Sequence, residues 1–347
     1  MGQNKKSGQK PAVVTLKAVA QHVGLTPGTV SAVLNDSPSA RSIPPATKKR
    51  IHAAAKELNY RPNFFARTLR SKRTYTIGVI AEEIGDSYGS AIIGGIELYL
   101  RGRGYFFLTV AHRHDQELLS RYSQLLSERG VEGIITVDTT VREVPVLPTV
   151  AVAGHKEMAG VTNIVLDHVR AAHLALNHLK GLSHERIAFM RGSPISSDSE
   201  ARWNGICRVA GEIGVQIDPD LVMQIESDDP TPMLGYPYTK QLLARKKPFT
   251  ALFAYNDMSA IGAIRALREQ GLRVPQDISV MGFDDIPGAA FYTPSLTTVR
   301  QPLDRMGEVA AQSLLERIEG NKEYPTEIAI EPELVVREST GKAPGSS

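Results

Sequence analysis

Short apolar runs alternate with longer amphipathic stretches along most of the chain. "YTIGVIAE", "YFFLTVA", "EGIITV", "PTVAVAG" and "NIVLD" are strand-like. Helical periodicity fills 88–103 and 116–129. A second set follows: the strands "RIAFMRG", "LVMQI", "TALFAYN" and "ISVMGFDD", with helices near 200–214, 233–246 and 257–270. Strands alternating with helices predict an α/β body of doubly wound parallel sheets, with enough chain for two lobes. Ligands in such folds bind beyond the carboxyl ends of the strands. Those ends read Glu82-Glu83, Asp138, Asp167, Arg191-Gly192-Ser193, Asn256-Asp257 and Asp284-Asp285.

Before the first strand the pattern is purely helical. Thr15 is a plausible N-cap, and Leu16, Val19, Ala20 and Val23 form one apolar face. Gly24 suits a left-handed turn. Thr26 then caps a second helix with Pro27 at its first position, where the missing N–H costs nothing. Val30, Val33 and Leu34 continue the core. Two short helices around a glycine turn predict a helix-turn-helix, with any αα-hairpin as the plainer alternative. A third helix runs from about Pro45 to Leu58. "YRPNFFARTLRSKRT" then predicts a short helix through Leu69, too short to be stable alone.

Charge sharpens this picture. Residues 1–73 hold 14 Lys+Arg against 2 Asp+Glu, a net +12; the remainder holds 26 against 35, a net −9. A basic head on an acidic body is the distribution expected when only the head meets a polyanion. Lys5, Lys6 and Lys10 read as a solvated tail. The single cysteine, Cys207, forms no internal disulfide and fits a reducing, cytoplasmic setting. It is expected to be a buried apolar thiol. No apolar run nears the ~18 residues of a membrane span, and the basic start lacks the apolar segment of a secretory signal.

"TLKAVAQHVGLTPGTVSAVLN", followed by "LNYRPNFFARTLRSKRTYTIGVI", resembles the lactose-repressor (LacI/GalR) family of bacterial transcription regulators. The resemblance covers nearly the whole chain. It implies a homodimer on a near-palindromic operator, with paired hinge helices in the minor groove and Leu69 pushed into the central base step. The head carries the DNA-contact set over as Thr15, Thr26, Pro27, Gly28, Thr29, Ser31, Ala32, Asn35, Tyr60 and Arg61. The hinge adds Asn63, Arg67, Leu69 and Arg70. Ala32 stands where the family often has a guanine-reading Arg, so its methyl, with Pro27 and Gly28, is expected to meet apolar base surface.

For the body the resemblance implies two lobes like those of periplasmic sugar-binding proteins, with a small-molecule effector, a carbohydrate or its derivative, between them. "SDSEARWNGI", "AYNDMSAIGAIRAL" and "VMGFDDI" match family segments and carry over Arg202, Asn256 and Asp284 as effector contacts. "EEIGDSYG" departs from the usual "PDISNPFF" and offers Asp86, Ser87 and Tyr88. Asp167, at the lobe junction, is assigned to the same site, with a structural role as the alternative. Trp203 is equally a stacking surface or lobe core; Asp257 reads as structural. The expected layout is a disordered tail 1–14, the helix-turn-helix 15–60, the hinge 61–75, and the body 76–339. Within the body the first lobe takes about 76–172 and 300–323, and the second about 173–299 and 324–339. Residues 340–347 read as a disordered tail.

Two other classes are weighed. An enzyme would need chemistry the chain lacks: there is no Gly-x-Ser-x-Gly elbow, phosphate loop, dinucleotide fingerprint or metal-ligand spacing. No cofactor is expected. A transport solute-binder is disfavoured by the basic head.

Overall fold

Thr15 accepts a hydrogen bond from the Ala18 N–H and starts α1 (Leu16–Val23). Gly24, at φ 66°, ends it in the left-handed region that favours glycine. The Arg50 side chain donates to the Val23 carbonyl at 2.8 Å, placing a cation at that helix C-terminus. Thr26 caps α2 (Pro27–Leu34) by accepting from the Thr29 N–H. α3 (Pro45–Glu57) closes the head by bringing Ile51 onto Val19, Val23, Val30 and Val33. This computed structural model describes residues 14–35, 37–61, 73–141, 144–154, 156–194, 196–226, 231–320 and 323–345. The hinge expectation over Asn63, Arg67, Leu69 and Arg70 falls outside them, as do Lys5, Lys6 and Lys10. The chain divides into Met1–Thr74 and Tyr75–Ser347.

The second unit holds two six-stranded sheets. Its elements run β1 (Thr76–Ala81), α4 (Ser87–Gly102), β2 (Phe106–Ala111), α5 (Gln116–Glu128), β3 (Ile134–Val137), β4 (Thr149–Val152), β5 (Val161–Leu166) and α6 (His168–Gly181). Next come β6 (Ile187–Arg191), α7 (Ser197–Ile213), β7 (Val222–Gln224), α8 (Tyr236–Ala244), β8 (Ala251–Phe253), α9 (Asp257–Glu269), β9 (Ser279–Asp284) and β10 (Thr297–Arg300). The chain ends with α10 (Leu303–Ile318), β11 (Glu327–Ile330) and β12 (Glu333–Val335). The first sheet, ordered β11-β5-β4-β3-β1-β2, is parallel throughout. The second, β12-β10-β9-β8-β6-β7, is parallel except for antiparallel β12 at its edge.

The lobe boundaries differ from the sequence reading in three places. α6 packs its Ala171, Ala175, Leu176 and Leu179 under Phe189 and Phe283 of the second sheet, so the first lobe gives way near Asp167 rather than at 172. β11 pairs with β5 in the first lobe, and only β12 reaches the second. Residues 339–343 are docked rather than loose: Ser339 donates to the Val280 carbonyl at 2.6 Å, and the Ala343 N–H to the Leu182 carbonyl at 2.8 Å. Gly341 presents its carbonyl to buried His184 at 2.9 Å. The lobes therefore exchange chain at 166–168, 300–303 and 330–333. No helix among the described residues is long and apolar enough to cross a membrane.

α4 and α10 cross with almost no room between backbones. A Cβ on Gly95 would lie 1.9 Å from the Asp304 carbonyl oxygen, and one on Gly307 2.0 Å from that of Ile92. Backbone cannot yield as a side-chain tip can. Gly95→Ala is therefore expected to destabilise the first lobe by about 3 kcal/mol, the upper end of overpacking costs. Urea unfolding checks this; unchanged stability would mean the helices are not in backbone contact.

Candidate functional sites

In the head, the outer face of α2 carries few groups that can reach out. Thr26 and Thr29 share a hydroxyl contact of 2.9 Å, and Asn35 donates to the Ser31 carbonyl and hydroxyl at 2.8 and 3.2 Å. Pro27 and Gly28 are exposed. Gly28 has only the Thr26 hydroxyl, 3.8 Å away, near where a Cβ would sit, so nothing inside the head demands a glycine there. Ala32 is a correction: at 5% exposure it belongs to the head's core, next to Val33 and Ala40. The residues after α2 fold back on it, and the Ser37 N–H donates to the Ala32 carbonyl at 3.0 Å. Its methyl is therefore not the apolar base contact expected. Tyr60 packs on the same core, and burial pushes its phenol up. Thr15 and Arg61 are exposed.

In the body a cleft lies where the carboxyl ends of both sheets face each other. From the first lobe it is lined by Glu82, Glu83, Asp86, Ser87, Tyr88 and Asp138 among others. The second lobe adds Ser193, Asp198, Arg202, Tyr255, Asn256 and Asp284. Six of the seven expected effector residues thus meet there. The seventh, Asp167, does not line it: its carboxylate accepts from the Arg170 N–H at 2.8 Å and caps α6, so its role is structural. Trp203 packs edge-on against Phe189 in the second lobe and is also absent from the lining. Cys207, expected to be buried, is exposed on α7.

Arg202 is the centre of the second-lobe wall and is 5% exposed. Its guanidinium donates to the Asp198 carboxylate one helical turn earlier, and to the Tyr255 carbonyl at 2.6 Å. It lies over the Phe283 ring at 3.8 Å and the Tyr255 ring at 4.7 Å. Burial alone would make it less basic; the Asp198 carboxylate and its hydrogen bond, with Tyr255 and Asp284 beside it, outweigh that and hold it above its ordinary range. Asp198 also contacts the His168 ring at 2.9 Å, which ties the wall to the crossover after β5.

Asp284 ends β9 with φ 110°, and Asp285 follows at 57°, two successive residues in conformations L side chains rarely adopt. Such strain persists where function retains it. Asp284 is 7% exposed; burial pushes its carboxyl up to about 7, against the opposing pull of Arg202 and of Gln301, which donates at 2.6 Å. Burial likewise raises Asp86, whose carboxylate caps α4 through the Gly89 N–H at 3.1 Å. Asn256 caps α9 with a reciprocal Ser259 contact. Asp257 is fully buried and accepts from the Thr298 hydroxyl at 2.6 Å and the Ile286 N–H at 2.8 Å, a structural position. Sequence reading does not single out Tyr255, Asp198, Ser196 or His114. Asp198 alone leaves a signal, its four-residue spacing from Arg202. His114 comes from a loop after β2 and pairs with Glu82 at 2.6 Å. No group of three or more His, Cys, Asp or Glu able to hold a metal ion exists among the described residues.

Comparison with known proteins decides what these two sites belong to. Residues 15–63 match the bacterial regulatory proteins of the lacI family, and 176–340 the periplasmic binding protein-like domain. The HTH-type transcriptional repressor PurR of Haemophilus influenzae is 33% identical over 94% of this chain and 98% of its own. The chain belongs to the LacI family. PurR of Erwinia tasmaniensis is 32% identical over 96% of the chain and 98% of its own. The LacI-family lac repressor dimer bound to operator and the anti-inducer ONPF superposes with TM-score 0.83 at 28% identity, covering 94% of this chain and 99% of that one. The regulator CelR in its cellobiose complex gives TM-score 0.68 at 29% identity, over the same shares. The head is thus a LacI-family DNA-binding domain, the body a ligand-binding regulatory domain, and the protein a transcriptional repressor of that family; the relatives are repressors rather than enzymes.

Proposed function

We propose that the chain is a cytoplasmic, homodimeric repressor that binds a near-palindromic operator and is controlled by a small molecule, a sugar or sugar derivative, in the cleft. The observation that carries this is the convergence of Asp86, Ser87 and Tyr88 with Arg202, Asn256 and Asp284 from opposite lobes. A ligand touching both lobes binds their closed arrangement better than the open one, which is the differential affinity a switch requires. Dimer formation is supported by apolar surface on the second lobe. Phe291 is 87% exposed, and Met233 and Tyr292 lie at or beside a groove lined by Pro232, Ile261 and Ile264.

In the head, Thr26 and Thr29 would hold phosphates, while Pro27, Gly28 and Ser31 meet base edges. Gly28 fits a close approach of backbone to DNA, since a glycine inside a helix costs about 1 kcal/mol and no internal contact requires it. Thr15, Asn35, Tyr60 and Arg61, with Asn63, Arg67 and Arg70 of the hinge, would add backbone contacts. Leu69→Ala is expected to weaken binding to fragments selected by the protein at least about tenfold, and binding to random duplex hardly at all. A hinge leucine contributes only where the minor groove is kinked, by offsetting unstacking. Equal losses on both DNAs would remove Leu69 from the groove, and a stable monomer by light scattering would remove the dimer.

A further inference from the structure

Among the described residues that line the cleft, carboxyls outnumber cations. Six carboxyls face it: Glu82, Glu83, Asp86, Asp138, Asp198 and Asp284. The cations among those described lining residues are the Arg202 guanidinium and, when protonated, the His114 imidazole. Both cations are engaged internally. His114 meets Glu82 at 2.6 Å; Arg202 is held by Asp198 and lies 4.0 Å from Asp284. An anionic ligand would have to compete for that arginine and enter a field set by the acids. The acids also come from both lobes, so closing the cleft without a ligand crowds carboxyls whose ionisation burial already opposes at Asp284 and Asp86.

We propose that the effector is a small organic cation of the amino-sugar class, whose ammonium group sits between the carboxylates of the two lobes. This rests on reading the cleft as the effector site. A bare metal ion is a poorer occupant, because no three of these groups converge closely enough to hold one among the described residues. An extended molecule with one ammonium and several hydroxyls fits the remaining chemistry. Among the described residues, the buried Tyr88 hydroxyl finds no hydrogen-bond partner, and neither does the Nε of Arg202, itself 5% exposed. Burial is what pushes Asp284 and Asp86 up, and at Asp284 the Asp198 and Asp86 carboxyls add to it. An ammonium there screens the repulsion across the cleft and so favours closure, giving ligand class and switch a common origin.

The test is calorimetry on the full-length protein at neutral pH. Glucosamine, galactosamine and mannosamine are each compared with the N-acetyl form, the parent hexose and the hexose 6-phosphate. At least one amine is expected to bind about tenfold or more tighter than all three of its counterparts. Glu83→Gln combined with Asp86→Asn should weaken that binding at least about tenfold and narrow the preference over the N-acetyl form. Asn still caps α4, and an unchanged melting temperature shows the fold intact. Neutral or phosphorylated sugars binding as well as the amines would overturn the inference. So would no amine binding up to about 10 mM, or the double variant binding like the parent protein. Selection of DNA by the same preparation separates the two readings. Specific DNA binding without amine binding sinks only the ligand class; amine binding with no specific DNA sinks the repressor reading and leaves the ligand class standing.

Discussion

Arg202→Ala is expected to cost the body about 3–5 kcal/mol of stability and to abolish effector binding. The side chain does two jobs. Its guanidinium compensates Asp198, satisfies the Tyr255 carbonyl and covers the Phe283 ring. Removing it leaves the Asp198 carboxylate buried without that cation, and a void where the stem lay. A surface ion pair would be worth well under half of this, which makes magnitude the deciding observable. Urea unfolding checks it; a loss below about 1 kcal/mol would contradict the buried geometry. The head folds around its own core, so DNA binding at low temperature should be far less affected than effector binding.

Asp284→Asn is expected to act in the opposite direction on stability. The folded carboxyl titrates at about 7, above its unfolded value near 4, so the folded state binds the extra proton between those limits. Stability contributed by this group is fully present below about pH 4 and is lost as pH rises to about 7. The asparagine variant does not ionise. It should therefore be more stable than the parent at pH 8, by up to roughly 4 kcal/mol, since each tenfold difference in proton affinity between the folded and unfolded states is worth about 1.4 kcal/mol. At pH 4 the two proteins should be nearly equal. The Asn side-chain oxygen can still accept from Gln301, so the local contact survives. Asp257 is also raised, by burial first and then by the Asp284 charge, so its upward push should ease in the variant and add to the gain at high pH. Effector affinity should fall at least about tenfold. Such a residue, costly to stability and needed for binding, is what a ligand site retains. Urea unfolding of both proteins across this pH range is the check; parallel profiles would place Asp284 at an ordinary value.

The parts of the structure legible in the sequence are those with local causes. Thr26-Pro27 starts a helix and Gly24 ends one because capping and left-handed backbone are decided within a few residues. The strand ends Glu82, Asp138 and Asp284 line the cleft because alternating strands and helices fix where a doubly wound sheet opens. α6 escapes such a reading: its three histidines and Lys180 mask an apolar face of Ala171, Ala172, Ala175, Leu176 and Leu179.

What stays hidden depends on partners distant in sequence. Ala32 looks available on α2 until the following loop brings Ala40 beside it. Residues 340–343 look like a polar tail until His178, His184 and Leu182 supply their hydrogen bonds. β11 and β12, two residues apart, join different sheets, a split no periodicity reports. Asp167 sits at a strand end like the true cleft acids, but its backbone turns directly into α6 and its carboxylate is consumed as a cap. His114 and Tyr255 reach the cleft from a loop and from just past β8, so only the assembled lobes reveal them.

The proposed two-fold pair of heads should leave its symmetry in the DNA it binds. Selection of duplexes from a random pool by the full-length protein, followed by sequencing, tests it most directly. Enrichment of two inverted half-sites around a flexible central step is expected, the signature of paired recognition helices and hinges. Enrichment of a single unpaired half-site, or no enrichment above the input pool, would contradict it.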